Sequence, residues 1–233
     1  MNSYLATIVT LAIALTFLRF MDFIAHRGWI ESKLSRKFIH IGTGPIFVLC
    51  WLMFPDVTIS RYLAALIPLF ITTQFFLVGT GIMKDDAAIQ AMTRTGNPRE
   101  ILRGPLFYGV VFVLLTVVYW KDSPIGIVSL MMMCGGDGVA DIIGRRVKSL
   151  KLLWSHEKSV AGSLSVFFGG AVLTAIILFV YVNLGVFESP FSSYILPIVW
   201  IAFGSMLVES LPFKDIDNLT LTVASVLIGH LVL

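Results

Sequence analysis

Residues 161–185 read AGSLSVFFGGAVLTAIILFVYVNLG, twenty-five positions without a charged side chain. A helix needs about 20 mostly apolar residues to cross the hydrocarbon core of a bilayer, and this run exceeds that length. Working outward from it, comparable runs occupy 4–24, 38–54, 62–82, 105–120, 124–143, 193–211 and 219–233. Lipid offers no partner for an open backbone, so such runs are predicted as helices. The expected fold class is an all-α, polytopic transmembrane bundle of about eight spans, seven being the alternative count. It forms one integral-membrane domain over residues 1–233.

Composition agrees with this. Hydrophobic residues make up 57% of the 233 positions and charged residues only 13%, with a mean hydropathy of +0.90. A soluble domain is nearer a quarter charged, so an ordinary water-soluble enzyme is excluded. The net charge of +3 and the lack of a dense basic arm argue against a nucleic-acid partner. Cys50 and Cys134 both fall in apolar runs without metal-ligand spacing, and are expected in the packed core. The first residues, Met1 to Tyr4, carry no basic leader, so the first run is expected to be a retained helix.

Charge orients the array. Alternate connections lie on opposite sides, and one side holds only Arg61 and Lys121 of the 17 Lys and Arg residues. The other 15 gather in or beside 25–37, 83–104, 144–160 and 212–218, and include Arg94, Arg99, Lys148 and Lys214. Cytoplasmic loops carry such an excess, so these loops are expected in the cytosol of a bacterial cell or at the equivalent face of an organelle membrane. Of the 14 carboxylates, only Asp56, Asp122 and Glu188 lie on the sparse side. Acids crowded among bases at one membrane face suit a metal-bound phosphate ligand.

Five segments on that face carry candidate chemistry. In Gly135-Gly136-Asp137-Gly138-Val139-Ala140-Asp141-Ile142-Ile143-Gly144, Asp137 and Asp141 are four apart and share a helix face. Such intramembrane carboxylates face a wet cavity or a partner, and two of them suit a divalent cation. A plain Asp141–Arg145 pair is the structural alternative. His156 to Ser163 puts Lys158, hydroxyls and small residues at a helix start, where backbone N–H groups collect phosphate. The P-loop pattern is absent, and a snorkelling Lys158 is the competing reading. Arg36, His40 and Thr43 share one face of the second run, with Lys37 on its flank. Glu209-Ser210-Leu211-Pro212-Phe213-Lys214-Asp215-Ile216-Asp217-Asn218 brings carboxylates and an amide into one turn. The 83–104 connection, with Arg94, Arg99, Glu100 and Arg103, has the make-up of a lid whose arginines meet phosphates.

In this order the segments resemble the CTP-dependent lipid-alcohol kinases: phytol, farnesol and dolichol kinases, with a CTP-dependent diacylglycerol kinase as a relative. The likeness runs from Ser35 to about Asn218 and rests on Ser35 to His40, Arg103 to Leu106, Gly136 to Gly144, Lys158 to Ser163, and Glu209 to Asn218. It extends more weakly to phosphatidate cytidylyltransferases, whose Gly- and Pro-rich tail after Lys-Asp is replaced here by Ile216-Asp217-Asn218. His156-Glu157-Lys158 also departs from the Lys-Lys pair of many relatives.

The resemblance implies transfer of the γ-phosphoryl group of CTP, or a related nucleotide, to a membrane isoprenoid alcohol, with Mg²⁺ as cofactor. It implies Asp137 and Asp217 as metal ligands, supported by Asn218, and Lys158 on the phosphates. Gly144, Ser159, Gly162 and Ser163 belong to its nucleotide-binding signature, and Arg36, Lys37 and Arg103 become further phosphate contacts. Asp141 or His40 is left to orient the attacking hydroxyl. A cytidylyltransferase is one rival. A small-solute transporter is the other, and it predicts mid-membrane charges and inverted repeats, which this sequence lacks.

Overall fold

The computed structural model describes residues 1–93, 95–213 and 216–233. Arg94, Lys214 and Asp215, which enter the charge count and two of the candidate segments, lie outside the described residues.

The apolar runs do form helices. The chain begins with α1 (Ser3–His26), α2 (Ser32–Trp51) and α3 (Ile59–Gly79), then a short α4 (Asp86–Met92) and a 3₁₀ turn at Pro98–Leu102 leading into α5 (Gly104–Val118). Next come α6 (Pro124–Met131) and α7 (Gly138–Arg146), fused into one rod by a π-helical turn at Met132–Asp137. The last three are α8 (Val160–Asn183), α9 (Ser192–Glu209) and α10 (Asp217–Val232).

Six helices among the described residues are long and apolar enough to cross a membrane: Ser3–His26, Ile59–Gly79, Pro98–Val118, Pro124–Arg146, Val160–Asn183 and Ser192–Glu209. The other two expected spans are helices of a different kind. α2 begins six residues before the expected start at 38, because Lys33, Arg36 and Lys37 join it as a charged first turn and a half. α10 has 16 residues, about 24 Å at 1.5 Å per residue, against a hydrocarbon core of about 30 Å. α3 stops at Gly79 rather than 82, since Gly81 turns left-handed (φ +79°) just beyond it.

The 144–160 connection, read as a loop, contains an antiparallel hairpin of β1 (Lys151–Leu152) and β2 (Ser155–Ser159). It packs on the end of α9, where the Trp154 indole N–H donates to the Ser210 carbonyl at 3.1 Å.

The rod of α6, the π-turn and α7 is the centre of the bundle: Ile127, Val128 and Leu130 to Cys134 are fully buried. Its fit against α8 depends on glycine. A Cβ on Gly135 would lie 2.7 Å from the Gly169 carbonyl oxygen, and one on Gly169 would lie 2.6 Å from that of Gly135. Backbones this close are a usual means of joining helices in lipid, where apolar surface alone gives little drive.

The two ends of the bundle differ as the charge count predicts. At one end Arg61 pairs with Asp122, and Lys121 pairs with Asp56 and donates to the Phe54 carbonyl at 3.0 Å. At the other end α2, Thr93 after α4, the hairpin, and the facing ends of α9 and α10 converge.

Candidate active site

The convergence starts on α2. Arg36, His40, Thr43, Phe47 and Cys50 recur every three or four residues and line one cavity of about 1240 Å³. That volume exceeds the 300–1,000 Å³ usual for small-molecule pockets. The rod presents its carboxylates to this stripe as an antiparallel ladder. His40 Nε2 stands 3.3 Å from Asp137 Oδ2, and Lys37 Nζ stands 3.2 Å from Asp141 Oδ2. Gly138 makes the approach possible, because a Cβ there would lie 2.3 Å from Ile41 Cγ1 and 3.2 Å from the His40 ring.

The π-turn contributes directly. The Met133 carbonyl oxygen lies 3.3 Å from His40 Nε2, so that nitrogen faces two acceptors. It therefore carries the ring proton, and Nδ1 is left as the basic nitrogen. Tyr108, on α5, completes the seat: its hydroxyl donates to the His40 carbonyl at 2.6 Å, and the rings lie 4.4 Å apart. Asp141 is more fully engaged, since its other oxygen accepts from Arg145 Nε at 2.7 Å. The Asp141–Arg145 pair that stood as the structural alternative is thus present, with Lys37 added.

The second half of the site comes from the hairpin. Lys158 lies on β2 rather than at the helix start itself, and Ser159 caps α8 by accepting from the Gly162 N–H at 3.3 Å. From the strand, Lys158 Nζ reaches the Glu209 carboxylate at the end of α9 and Asp217 Oδ2 at 3.1 Å on the first turn of α10. Burial works against the Lys158 ammonium, but the Glu209 and Asp217 carboxylates outweigh it and hold its pKa above the ordinary value. Snorkelling does not describe this residue: its charge is held by protein carboxylates. Gly144 and Gly162 face each other, a Cβ on Gly144 meeting Gly162 Cα at 3.5 Å, so they seat α7 against the capped start of α8 as well as lining the cavity.

Arg36, Lys37, His40, Arg103, Asp137, Asp141, Gly144, Lys158, Ser159, Gly162, Ser163, Asp217 and Asn218 all border this one cavity, whereas Arg99 of the expected lid does not line it. Arg36 also donates to the Thr93 carbonyl at 3.1 Å, tying α2 to the segment after α4. Glu209 and Tyr108 are the residues to which the sequence assigned no role. Glu209 stood at the head of a recognised acidic turn. Tyr108 stands one turn after Gly104-Pro105 on the face shared with Phe112, a spacing that marks the wall of a cleft only once α5 is known to border one.

Several atoms here suit a hard cation. The second carboxylate oxygen of Glu209 and the amide oxygen of Asn218 are buried without a hydrogen-bond partner, while the Asn218 amide N–H donates to the Gly104 carbonyl at 3.2 Å. Asp137 and Asp217 border the same space. Among the described residues no three His, Cys, Asp or Glu side chains close a cage by themselves. This donor set fits a Mg²⁺ ion, which binds through one or two carboxylates and completes its shell with water and substrate phosphates.

No family model matches the chain, and no solved structure does. Curated proteins do match it. The chain is 39% identical over 228 residues to "Probable phytol kinase 1, chloroplastic" of Oryza sativa subsp. japonica, covering 97% of this chain and 73% of that protein. It is 36% identical to "Phytol kinase 1, chloroplastic" of Arabidopsis thaliana, covering 97% and 75% respectively. With "Farnesol kinase, chloroplastic" of Arabidopsis thaliana the identity is 38%, over 96% and 73%. At such identity along nearly its whole length, this chain belongs to the phytol and farnesol kinase family, membrane phosphotransferases with an alcohol acceptor.

Proposed function

We propose that the protein transfers the γ-phosphoryl group of CTP to the hydroxyl of a phytol- or farnesol-class isoprenoid alcohol, at the charged end of the cavity. One observation carries this reading: the cavity is continuous from Lys158, Asp137 and Asp217 to apolar side chains of α1, α2, α3 and α5. A single space of that kind suits an aqueous nucleotide meeting a lipid alcohol. The choice of CTP rests on the likeness of Asp137 to Gly144 and Lys158 to Ser163 to the signature of CTP-dependent kinases. The charge asymmetry supports placing this end on the cytosolic side.

Phosphoryl transfer asks the protein for positioning and charge stabilisation more than for covalent chemistry. Lys158 would hold the β- and γ-phosphates, with Arg36, Lys37 and Arg103 around them. Asp137, Asp217, Glu209 and Asn218 would hold Mg²⁺, whose charge screens the phosphates and the oxygen leaving as CDP. His40 suits the acceptor hydroxyl better than Asp141. Its Nδ1 is available to take the proton, whereas both oxygens of Asp141 are occupied by Lys37 and Arg145. The Asp137 carboxylate beside Nε2 would stabilise the imidazolium that results.

The test is purified protein in lipid nanodiscs with Mg²⁺, CTP labelled in either the α- or the γ-phosphate, and a panel of isoprenoid alcohols. The expected product is an alcohol monophosphate carrying γ-label. Transfer of α-label with release of pyrophosphate would establish a cytidylyltransferase instead, and no label on any alcohol would overturn the reading.

A further inference from the structure

Away from its charged end the cavity continues as a largely apolar slot between α1, α2, α3 and α5. On α2 the lining runs from His40 to Cys50, about 15 Å at 1.5 Å per residue. All four surrounding helices stop lining it at one level, marked by Thr10, Cys50, Ile67 and Phe112. Beyond that level lies an aromatic plug. Trp51 and Trp120 have ring centroids 5.0 Å apart, Phe54 stacks edge-on to Trp120 at 5.6 Å, and all three are buried. The slot is therefore closed off short of the end of the bundle that holds Arg61 and Lys121.

Its side wall is not closed everywhere. On the plug side α1 and α3 are fastened by a buried hydrogen bond between Ser3 Oγ and Ser60 Oγ at 3.0 Å. Nearer the charged end, Leu15 of α1 and Phe70 of α3 both line the slot, yet they are 43% and 62% exposed. Side chains that border the cavity and also face outward mark a mouth. α1 is moreover the least buried of the six spanning helices, so it is the wall least held by its neighbours.

We propose that the seam between α1 and α3 is a lateral entrance. The isoprenoid chain passes from the bilayer between Leu15 and Phe70 and lies in the slot above Thr10, Cys50 and Phe112, with its hydroxyl beside His40 and Asp137. This rests on the alcohol-kinase reading above, and it adds the route and the subsite for the tail. The chemistry favours the route, because an isoprenoid that moves sideways from lipid into an apolar slot never exposes its chain to water.

The test is the order of two additions. Leu15→Cys and Phe70→Cys are introduced together in a variant carrying Cys50→Ala and Cys134→Ala, because Cys50 itself lines the slot, and are bridged by bis-maleimides of increasing length. Bridging before phytol is added should abolish labelling of phytol by γ-labelled CTP. Bridging after phytol has loaded should allow a single turnover and then stop. Protein treated with a monofunctional maleimide should turn over continuously in both orders. Equal activity in the two orders, or equal loss in both, overturns the entrance. Absence of labelled phytol in the unmodified protein overturns the kinase reading on which it stands.

Discussion

Lys158 and Asp217 stand 3.1 Å apart although 59 positions separate them in the chain. Glu209 holds the same ammonium from the end of α9, so three elements meet on one charge: the hairpin, α9 and the start of α10. The carboxylate of Asp217 also gains from the N-terminal end of α10, where helical N–H groups are unpaired. This junction joins the two halves of the acidic and basic machinery.

The first prediction concerns the compactness of that charge. Arginine is a planar fork and cannot occupy the point between Glu209 and Asp217 that an ammonium fills. A misplacement of about 1 Å in a reacting group costs on the order of 10²-fold in rate. Lys158→Arg should therefore insert and fold but lose about that much kinase activity. Lys158→Ala should lose more and also unfold earlier, because the Glu209 side chain is only 5% exposed and would keep an unpaired charge. Initial rates on matched amounts of folded protein, with thermal unfolding in detergent, check both. An Arg variant at the parental rate would leave Lys158 with an anchoring role alone.

The second separates the two carboxylates of the ladder. Asp137→Asn keeps a hydrogen-bonding oxygen toward His40 and removes the charge. The expected loss is about 10²–10³-fold, the scale for deleting one group that stabilises transition-state charge, with a higher Mg²⁺ requirement. Asp141→Asn breaks the Lys37 and Arg145 pairs, the first largely buried and the second with its arginine exposed. Its effect should be smaller, mostly on nucleotide KM through displaced Lys37. Mg²⁺ titrations of the two variants side by side decide this, and the reverse ranking would exchange their roles.

These residues were legible because helical spacing tells which side chains share a face. Arg36, His40 and Thr43 on one helix, and Asp137 and Asp141 on another, needed nothing more. What spacing does not say is which helix meets that face. The glycines at 144 and 162 entered only as part of a nucleotide-binding signature, and they are in addition contacts between α7 and α8. The π-turn left only Gly135-Gly136 as a trace, and the Met133 carbonyl that orients His40 follows from that turn alone. The hairpin was missed because its strands are two and five residues long in a charged segment, too short for alternation to show. Span bounds shifted where helices are not uniformly apolar: α2 carries the site's cations, so its charged first turns were read as a loop.

The third prediction uses the glycines to separate packing from chemistry. At Gly135 an added methyl group meets the Gly169 backbone at 2.7 Å, which no side-chain rotation relieves, so Gly135→Ala should be overpacked. A cost of about 1–3 kcal/mol is typical for such insertions. At Gly144 the nearest atom, Gly162 Cα, is 3.5 Å away, an ordinary contact, so Gly144→Ala should fold like the parent. Thermal unfolding in one detergent ranks the pair. If Gly144→Ala keeps its stability yet raises the KM for nucleotide, the residue also shapes the binding space.

The last prediction concerns sidedness, on which the route of each substrate depends. The charge-rich connections converge at the end of the bundle that holds Lys158 and Asp137, while Arg61 and Lys121 pair with Asp122 and Asp56 at the other. Lys148 and Ser189 are exposed, one on each side of α8. Single cysteines are introduced into a Cys50→Ala, Cys134→Ala variant, because Cys50 lines the cavity. With a membrane-impermeant maleimide, Lys148→Cys should react only from the cytosolic side of sealed inverted vesicles, and Ser189→Cys only from the opposite side. A reversed pattern would move the nucleotide-facing end away from the cytosol and with it the supply of CTP. Labelling of both positions from one side would mean that α8 does not cross the membrane, and the eight-helix array would fail with it.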